Sequence, residues 1–219
     1  MKLVLFDCDG TLVDSAGLIQ AVIARTFEQF GQEPPALAAT KSIIGLTLDI
    51  AIARLQGKEH VDPEAVEMAA YYKSIFAEVR GSGAATERRF DGIVEVISAL
   101  AAREDVLIGA VTGKSRRGLN LILDSNGWRD HFFVSRTADD CPSKPHPAMV
   151  TECCDEAGIA PRDTIVIGDA IYDMQMAKAA GARPIGVSWG YCSVDELWRT
   201  GAEAVAERPA DLLAYIHQG

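Results

Sequence analysis

The chain is poor in positive charge. Lysine and arginine together number 21 against 31 acids, a formal net charge of −10 over 219 residues. No basic run occurs anywhere in it. Nucleic acid and anionic membrane both require a positive footprint, so neither is expected as a partner. Long apolar runs are missing as well. The first one is cut off by Asp7 after four residues, too short for the apolar region of a signal peptide. No segment has the length to span a bilayer. The cysteines show no pairing pattern: there are 5, an odd number without CxxC spacing, which reads as reduced thiols in a cytosolic protein. Cys153 and Cys154, adjacent on an expected helix, read as packing rather than as metal ligands. Repeats and low-complexity tracts are also absent. Together these absences predict a cytoplasmic protein.

What is present is an apolar fraction of 48%, enough for a proper core in one domain or in a core with a modest insertion. Leu3-Val4-Leu5-Phe6 reads as a buried strand, and 106–111, 164–167, 184–187 and the shorter 131–134 read as further strands. Helical patterns near 92–103, 115–126, 146–157 and 171–180 alternate with them, and Gly127, Gly158 and Gly181 fall where C-terminal caps belong. Near-continuous apolar strands alternating with helices predict an α/β fold, a Rossmann-like parallel sheet core with helices on both faces. The stretch from about 15 to 80 differs. Its apolar residues recur at helical spacing: Leu18, Val22, Ile23 and Phe27, then Ile50, Ile52 and Leu55, then Val66, Tyr71 and Ile75. About 65 residues is more than a single crossover needs, and Gly81-Ser82-Gly83-Ala84-Ala85 has the composition of a flexible linker. The expected division is a core of residues 1–14 and 86–219 and an inserted all-helical domain of residues 15–85, joined near 13–15 and 81–86.

In an open parallel sheet the ligand crevice lies beyond the carboxyl ends of the strands. Asp7 and Asp9, Thr112, and Asp169 with Asp173 all follow expected strands, and Lys144 stands in the segment before a helix. Each alone has an ordinary role: Asp9-Gly10 is a turn signal, Asp169 a helix cap, Thr112 a strand end, Lys144 a solvated charge. Two carboxylates one residue apart at a strand end repel each other, however. Asp7 and Asp9 therefore suggest a cation, a shared proton or a reaction that uses both. Two near-motifs are excluded. Gly109-x-x-x-Gly113-Lys114-Ser115 is one residue short of a P-loop, and its first glycine falls within an expected strand. Asp7-x-Asp9-Gly10 is not an EF-hand, because the glycine comes early and Leu18 occupies the twelfth position. None of the 4 histidines forms an HExxH pair.

In order along nearly the whole chain, Asp7-x-Asp9-Gly10-Thr11, Val111-Thr112-Gly113-Lys114, Lys144-Pro145-His146-Pro147 and Gly168-Asp169-x-x-x-Asp173-Met174 resemble the motifs of the haloacid dehalogenase superfamily. The insertion, which opens with Leu12-Val13-Asp14-Ser15, resembles the helical cap of the subgroup containing phosphoglycolate phosphatase, β-phosphoglucomutase and pyrophosphatases. The resemblance implies a Mg²⁺-dependent phosphatase acting on a small phosphorylated metabolite, with phosphoglycolate a candidate. It makes Asp7 the nucleophile that forms an aspartyl-phosphate. It makes Asp9 the group that protonates the leaving oxygen and then deprotonates the attacking water. Thr112, with the backbone near Gly10 and Gly113, would hold the phosphoryl oxygens, and Lys144 would offset their charge. Asp7, Asp169 and the backbone carbonyl of Asp9 would bind Mg²⁺, with Asp173 acting through water. Two alternatives stay open: a phosphomutase, and a module that accepts phosphate on Asp7 and keeps it. Asp9 counts against the latter, and against the halide-displacing members, which lack this second acid. The chain departs from the family pattern at Cys8, usually an apolar residue, at Asp91, often Pro, and at Gly113, often Asn, which bears on leaving-group recognition. His146 either orients Lys144 or only begins a helix. Substrate choice is expected in the cap around Ile44-Gly45-Leu46-Thr47, with Lys41 or Arg54 as charge partners.

Overall fold

The apolar run near the N-terminus forms β1 (Lys2–Phe6), in which Leu3, Val4, Leu5 and Phe6 are fully buried. The structure is a computed structural model that describes residues 1–83 and 87–217. A short ribbon follows, β2 (Val13–Asp14) against β3 (Arg88–Arg89). Then come β4 (Val106–Val111), β5 (Phe132–Arg136), β6 (Thr164–Gly168), β7 (Arg183–Val187) and β8 (Ala204–Ala206). Among the described residues these join β1 in a 6-stranded sheet of order β5-β4-β1-β6-β7-β8, every pairing parallel. The chain builds outward from β1 through β4 to β5, then returns to the other side of β1 to build β6, β7 and β8. A reversal of this kind opens a crevice at the strand ends. It sets the exits of β1 and β6 side by side, and the Asp7 N–H donates to the Ile167 carbonyl at 2.8 Å.

Successive strand residues face opposite sides, and β1 shows this directly. Val4 and Phe6 pack with Ile93, Ile97, Leu100, Leu119 and Leu212, whereas Leu3 and Leu5 pack with Met149, Val150, Cys153 and Met176. The helices that supply these residues lie where the periodicity predicts them (Ile93–Ala101, Arg116–Asn126, Ala148–Ala157 and Ile171–Ala180), and Gly127, Gly158 and Gly181 cap the last three. The expected strands are all present. The additional β2, β3 and β8 are 2 or 3 residues long, too short to leave a run in the sequence.

The insertion is helical: α1 (Ala16–Gln29), α2 (Leu37–Ile43), α3 (Leu48–Leu55) and α4 (Pro63–Gly81) occupy it. The helices just described in the core are α5 to α8, followed by α9 (Val194–Thr200) and α10 (Asp211–His217). The insertion has its own apolar core, with Leu18, Val22, Ile23, Phe27, Ile52, Met68 and Ile75 at its centre. In α4 the inward face is Ala65, Met68, Tyr72, Ile75 and Val79. That spacing leaves Val66 one position off the stripe, 52% exposed, in contrast to the periodic reading. Asp62 starts the helix by accepting the Ala65 N–H, with Pro63 in the first turn. The β2–β3 ribbon brings the insertion's two connections together, pairing Val13 with Arg89 and Asp14 with Arg88. The join expected at 85/86 lies outside the described residues. Ile43, Ile44 and Leu46 pack against Ala170 and Tyr172, which seats the helices on the carboxyl edge of the sheet. Among the described residues no helix is long and apolar enough to cross a membrane.

A glycine inside a strand marks a close approach, and Gly109 in β4 is one. A Cβ there would sit 2.7 Å from the Leu5 side chain and 2.8 Å from the Val134 carbonyl. Gly109→Ala is expected to destabilise the protein by about 1–3 kcal/mol through overpacking. Denaturant unfolding checks this, and an unchanged midpoint would contradict the packing described.

Candidate active site

Four loops meet at the sheet edge. The exit of β1 delivers Asp7 and Asp9, 1% and 6% exposed, then turns through Gly10 at φ +83°. That φ is open to glycine and strained for other residues. The turn is closed by the Leu12 and Val13 N–H groups, which donate to the Cys8 carbonyl at 2.9 and 3.1 Å. The exit of β4 supplies Thr112, Gly113 and Lys114, and the exit of β6 supplies Asp169. Asp173 comes from the first turn of α8, and Lys144 from the loop between β5 and α7. The structure thus brings the core-motif residues singled out in the sequence to one edge.

The electrostatics at its centre are lopsided. Asp7, Asp169 and Asp173 each offer a carboxylate oxygen, and these lie within 4.8 Å of one another. Lys144, fully buried, is the cation among them: its Nζ is 2.7 Å from Asp173 Oδ1 and 2.8 Å from Asp7 Oδ1. The contact with Asp173 is a hydrogen bond. The approach to Asp7 is a charge contact, and among the described residues the Asp7 oxygens have no protein partner besides Lys144. Asp173 Oδ2 accepts the Ala170 N–H at 3.0 Å. Asp169 accepts Thr11 Oγ1 at 3.1 Å and the Tyr191 N–H at 2.8 Å. Burial pushes the Asp7 carboxyl up to about 7, with Lys144 opposing the rise and Asp173 adding to it. Burial, then the charges of Asp7 and Asp173, holds Asp169 well above the usual carboxylate range. For Lys144 burial works against the ammonium, but Asp173 and Asp7 outweigh it and raise its pKa. A buried excess of carboxylate over ammonium, all of it hard oxygen, fits a hard divalent cation. The donor with spare capacity is Asp7, whose oxygens have no other hydrogen-bonding use.

Asp9 lies outside that cluster. Its Oδ1 accepts from Ser15 Oγ and forms an ion pair with Lys114 Nζ at 2.8 Å. Cys8 between the two acids is fully buried, and burial followed by the Asp9 charge raises its thiol well above the ordinary value, which makes it packing rather than a nucleophile. His146 is exposed, and its Nδ1 accepts the Ala148 N–H at 3.2 Å where α7 begins, so it takes the helix-starting role of the two considered.

The insertion reaches the site directly. A Cβ on Gly113 would lie 2.6 Å from the Gly45 carbonyl oxygen and 2.8 Å from that of Leu46. The Thr47 N–H donates to Ser143 Oγ at 2.9 Å. The absence of asparagine at 113 therefore has a steric cause. Lys41 sits over the Tyr191 ring at 5.5 Å, and Arg54 donates to Tyr172 Oη at 2.9 Å. Both line a cavity of about 500 Å³ between the insertion and α8.

Sequence reasoning missed the loop after β7. Trp189 Nε1 donates to the Thr11 carbonyl at 3.1 Å. Tyr191 Oη takes the Ser15 and Ala16 N–H groups at 3.0 Å and donates to Asp14 Oδ1 at 3.0 Å. A side chain on Gly190 would meet Asp169 Cβ at 2.1 Å. The available signal was the end of a parallel strand at Val187, the position that marks every other site loop.

Residues 4–187 match the haloacid dehalogenase-like hydrolase family. Phosphoglycolate phosphatase 1 of Pseudomonas aeruginosa is 30% identical over 219 residues, covering 99% of this chain and 80% of that protein. A phosphoglycolate phosphatase of Xylella fastidiosa is 29% identical over 218 residues, covering 95% and 90%. Among solved structures, a hydrolase from Pseudomonas syringae superposes with a TM-score of 0.85 at 24% identity, covering 100% of this chain and 99% of that one, a likeness of fold. The match over most of the chain places the protein in the haloacid dehalogenase-like hydrolase family.

Proposed function

We propose that the protein is a Mg²⁺-dependent phosphatase that hydrolyses a small phosphorylated metabolite through an aspartyl-phosphate on Asp7. The observation that carries this reading is the Asp7 carboxylate itself, buried at a strand end beside two further acids, with Lys144 its one protein partner among the described residues. An anion held in this way lacks the solvation that would blunt it as a nucleophile.

In the first step an Asp7 oxygen bonds to phosphorus while the bond to the leaving oxygen breaks, and Asp9 gives that oxygen a proton. In the second step Asp9 takes a proton from water, the water oxygen bonds to phosphorus, and Asp7 is released. Two acids are needed because the one bonded to phosphorus cannot also move the proton. Thr112 and the backbone at Gly10 and Gly113 hold the phosphoryl oxygens, and Lys144 offsets the charge that gathers on them. Asp7, Asp169 and the Asp9 carbonyl would hold Mg²⁺, with Asp173 behind them. When bound, the cation neutralises acid and phosphate charge that would otherwise repel.

Residues 15–85 act as a cap over this centre, a role supported by the seat of Gly45 and Leu46 on Gly113. A cap so placed excludes bulk water and meets the leaving group. Phosphoglycolate is the substrate we favour. Two relatives bearing that name cover most of the chain.

The reading is tested by Mg²⁺-dependent phosphate release from phosphoglycolate, sugar phosphates and pyrophosphate. Asp7→Asn should lower release by roughly 10³-fold or more with an unchanged thermal unfolding profile; near-native turnover would remove Asp7 as the nucleophile. Asp169→Asn should raise the Mg²⁺ concentration for half-maximal activity by about tenfold or more, and an unaltered Mg²⁺ titration would exclude that residue from the metal site.

A further inference from the structure

Lys114 has no part in the steps above, yet its side chain is only 9% exposed and lies between two carboxylates. Its Nζ is 2.8 Å from Asp9 Oδ1 and 2.9 Å from Glu87 Oε1. The Glu87 side chain is 5% exposed and pairs on its other oxygen with Arg80 Nε at 3.2 Å. Burial works against the Lys114 ammonium, but Asp9 and Glu87 outweigh it and raise its pKa well above the ordinary value. Breaking a buried pair leaves an uncompensated charge, so the three side chains hold one another in place.

The positions of the partners matter more than their number. Ser15, which also donates to Asp9 Oδ1, is the residue just before α1. Glu87 stands just before β3, and Arg80 lies in the last turn of α4. Asp9 Oδ1 is thus gripped from both connections of the helical insertion, directly at the first and through Lys114 at the second. Among the described residues Asp9 Oδ2 accepts no protein hydrogen bond.

We propose that Lys114 and Glu87 are positioning residues for Asp9. Lys114, shared with Glu87, pins Oδ1 so that Oδ2 faces the leaving oxygen, and proton donation then depends on the second connection of the cap being seated. This rests on the phosphatase reading, with Asp9 as the proton donor. In the first half-reaction the Asp7–phosphorus bond forms, the bond to the leaving oxygen breaks, and the proton passes from Asp9 to that oxygen. An alkoxide leaving group needs the proton; an acetate leaving group departs as a stable anion and does not. Loss of a positioned acid is therefore felt selectively, whereas loss of a merely structural ion pair is felt equally with both leaving groups.

The test compares ethyl phosphate with acetyl phosphate, which are nearly isosteric, carry no charge on the leaving group, and fit any pocket that accepts phosphoglycolate. The parameter read is kcat/KM, which reports steps only as far as formation of the aspartyl-phosphate, so the later work of Asp9 on water drops out. Lys114→Met should lose about tenfold or more with ethyl phosphate and less than about threefold with acetyl phosphate. Glu87→Gln, which keeps its shape, should show the same selectivity at smaller size, and it decides the matter if the lysine variant fails to fold. Equal losses on both substrates, or no loss, would overturn the proposal. Asp9→Asn is measured alongside. If it loses equally on both, the reading of Asp9 as the acid fails, and this inference with it.

Discussion

Three buried carboxylates set against one buried ammonium govern the rest of this molecule. Asp7, Asp169 and Asp173 repel one another, and Lys144 cannot satisfy all of them. Donors are spread unevenly over the three acids. Asp169 is held by Thr11 and Tyr191, and Asp173 by Lys144 and the Ala170 N–H. Among the described residues the Asp7 carboxylate has Lys144 alone as a protein partner. Burying a carboxylate beside like charges disfavours its ionised form, and burial raises the Asp7 pKa to about 7. The apolar layers on both faces of the sheet supply the stability that lets this acid persist there.

Holding carboxylates so close requires that nothing else intrude. Around them the backbone comes in bare. A Cβ on Gly10 would lie 2.2 Å from Asp169 Oδ2, one on Gly168 would lie 2.3 Å from Asp173 Cγ, and Gly190 closes the far side of Asp169. The same logic extends to the cap at Gly113, where carbonyl groups of the insertion occupy the space a side chain would take. The insertion is thereby fitted to this sheet edge.

Much of this was legible in the sequence, for definable reasons. A buried parallel strand leaves an apolar run, and the residue after it marks the crevice. Asp7, Thr112 and Asp169 were found in that way, and the sheet with them. Short elements leave no run, so the β2–β3 ribbon and β8 went unseen. In α4 the neighbours Tyr71 and Tyr72 fit the apolar stripe about equally well, and only packing shows Tyr72 inward. The grip of Tyr191 on Asp169 is a backbone N–H across 22 positions in the chain, and such a donor has no residue signature. Lys114 was visible as part of a motif, but its role depends on Glu87, 27 positions away, at the end of a linker whose contacts no periodicity describes.

The central claim is that Asp7 takes the phosphoryl group. The direct measurement is rapid acid quench of the enzyme with Mg²⁺ and ³²P-labelled phosphoglycolate, followed by peptide mapping of the protein. The account predicts label that rises and decays within a turnover and resides on the peptide containing Asp7. Phosphate release without labelled protein at any quench time, or label on another residue, would contradict it.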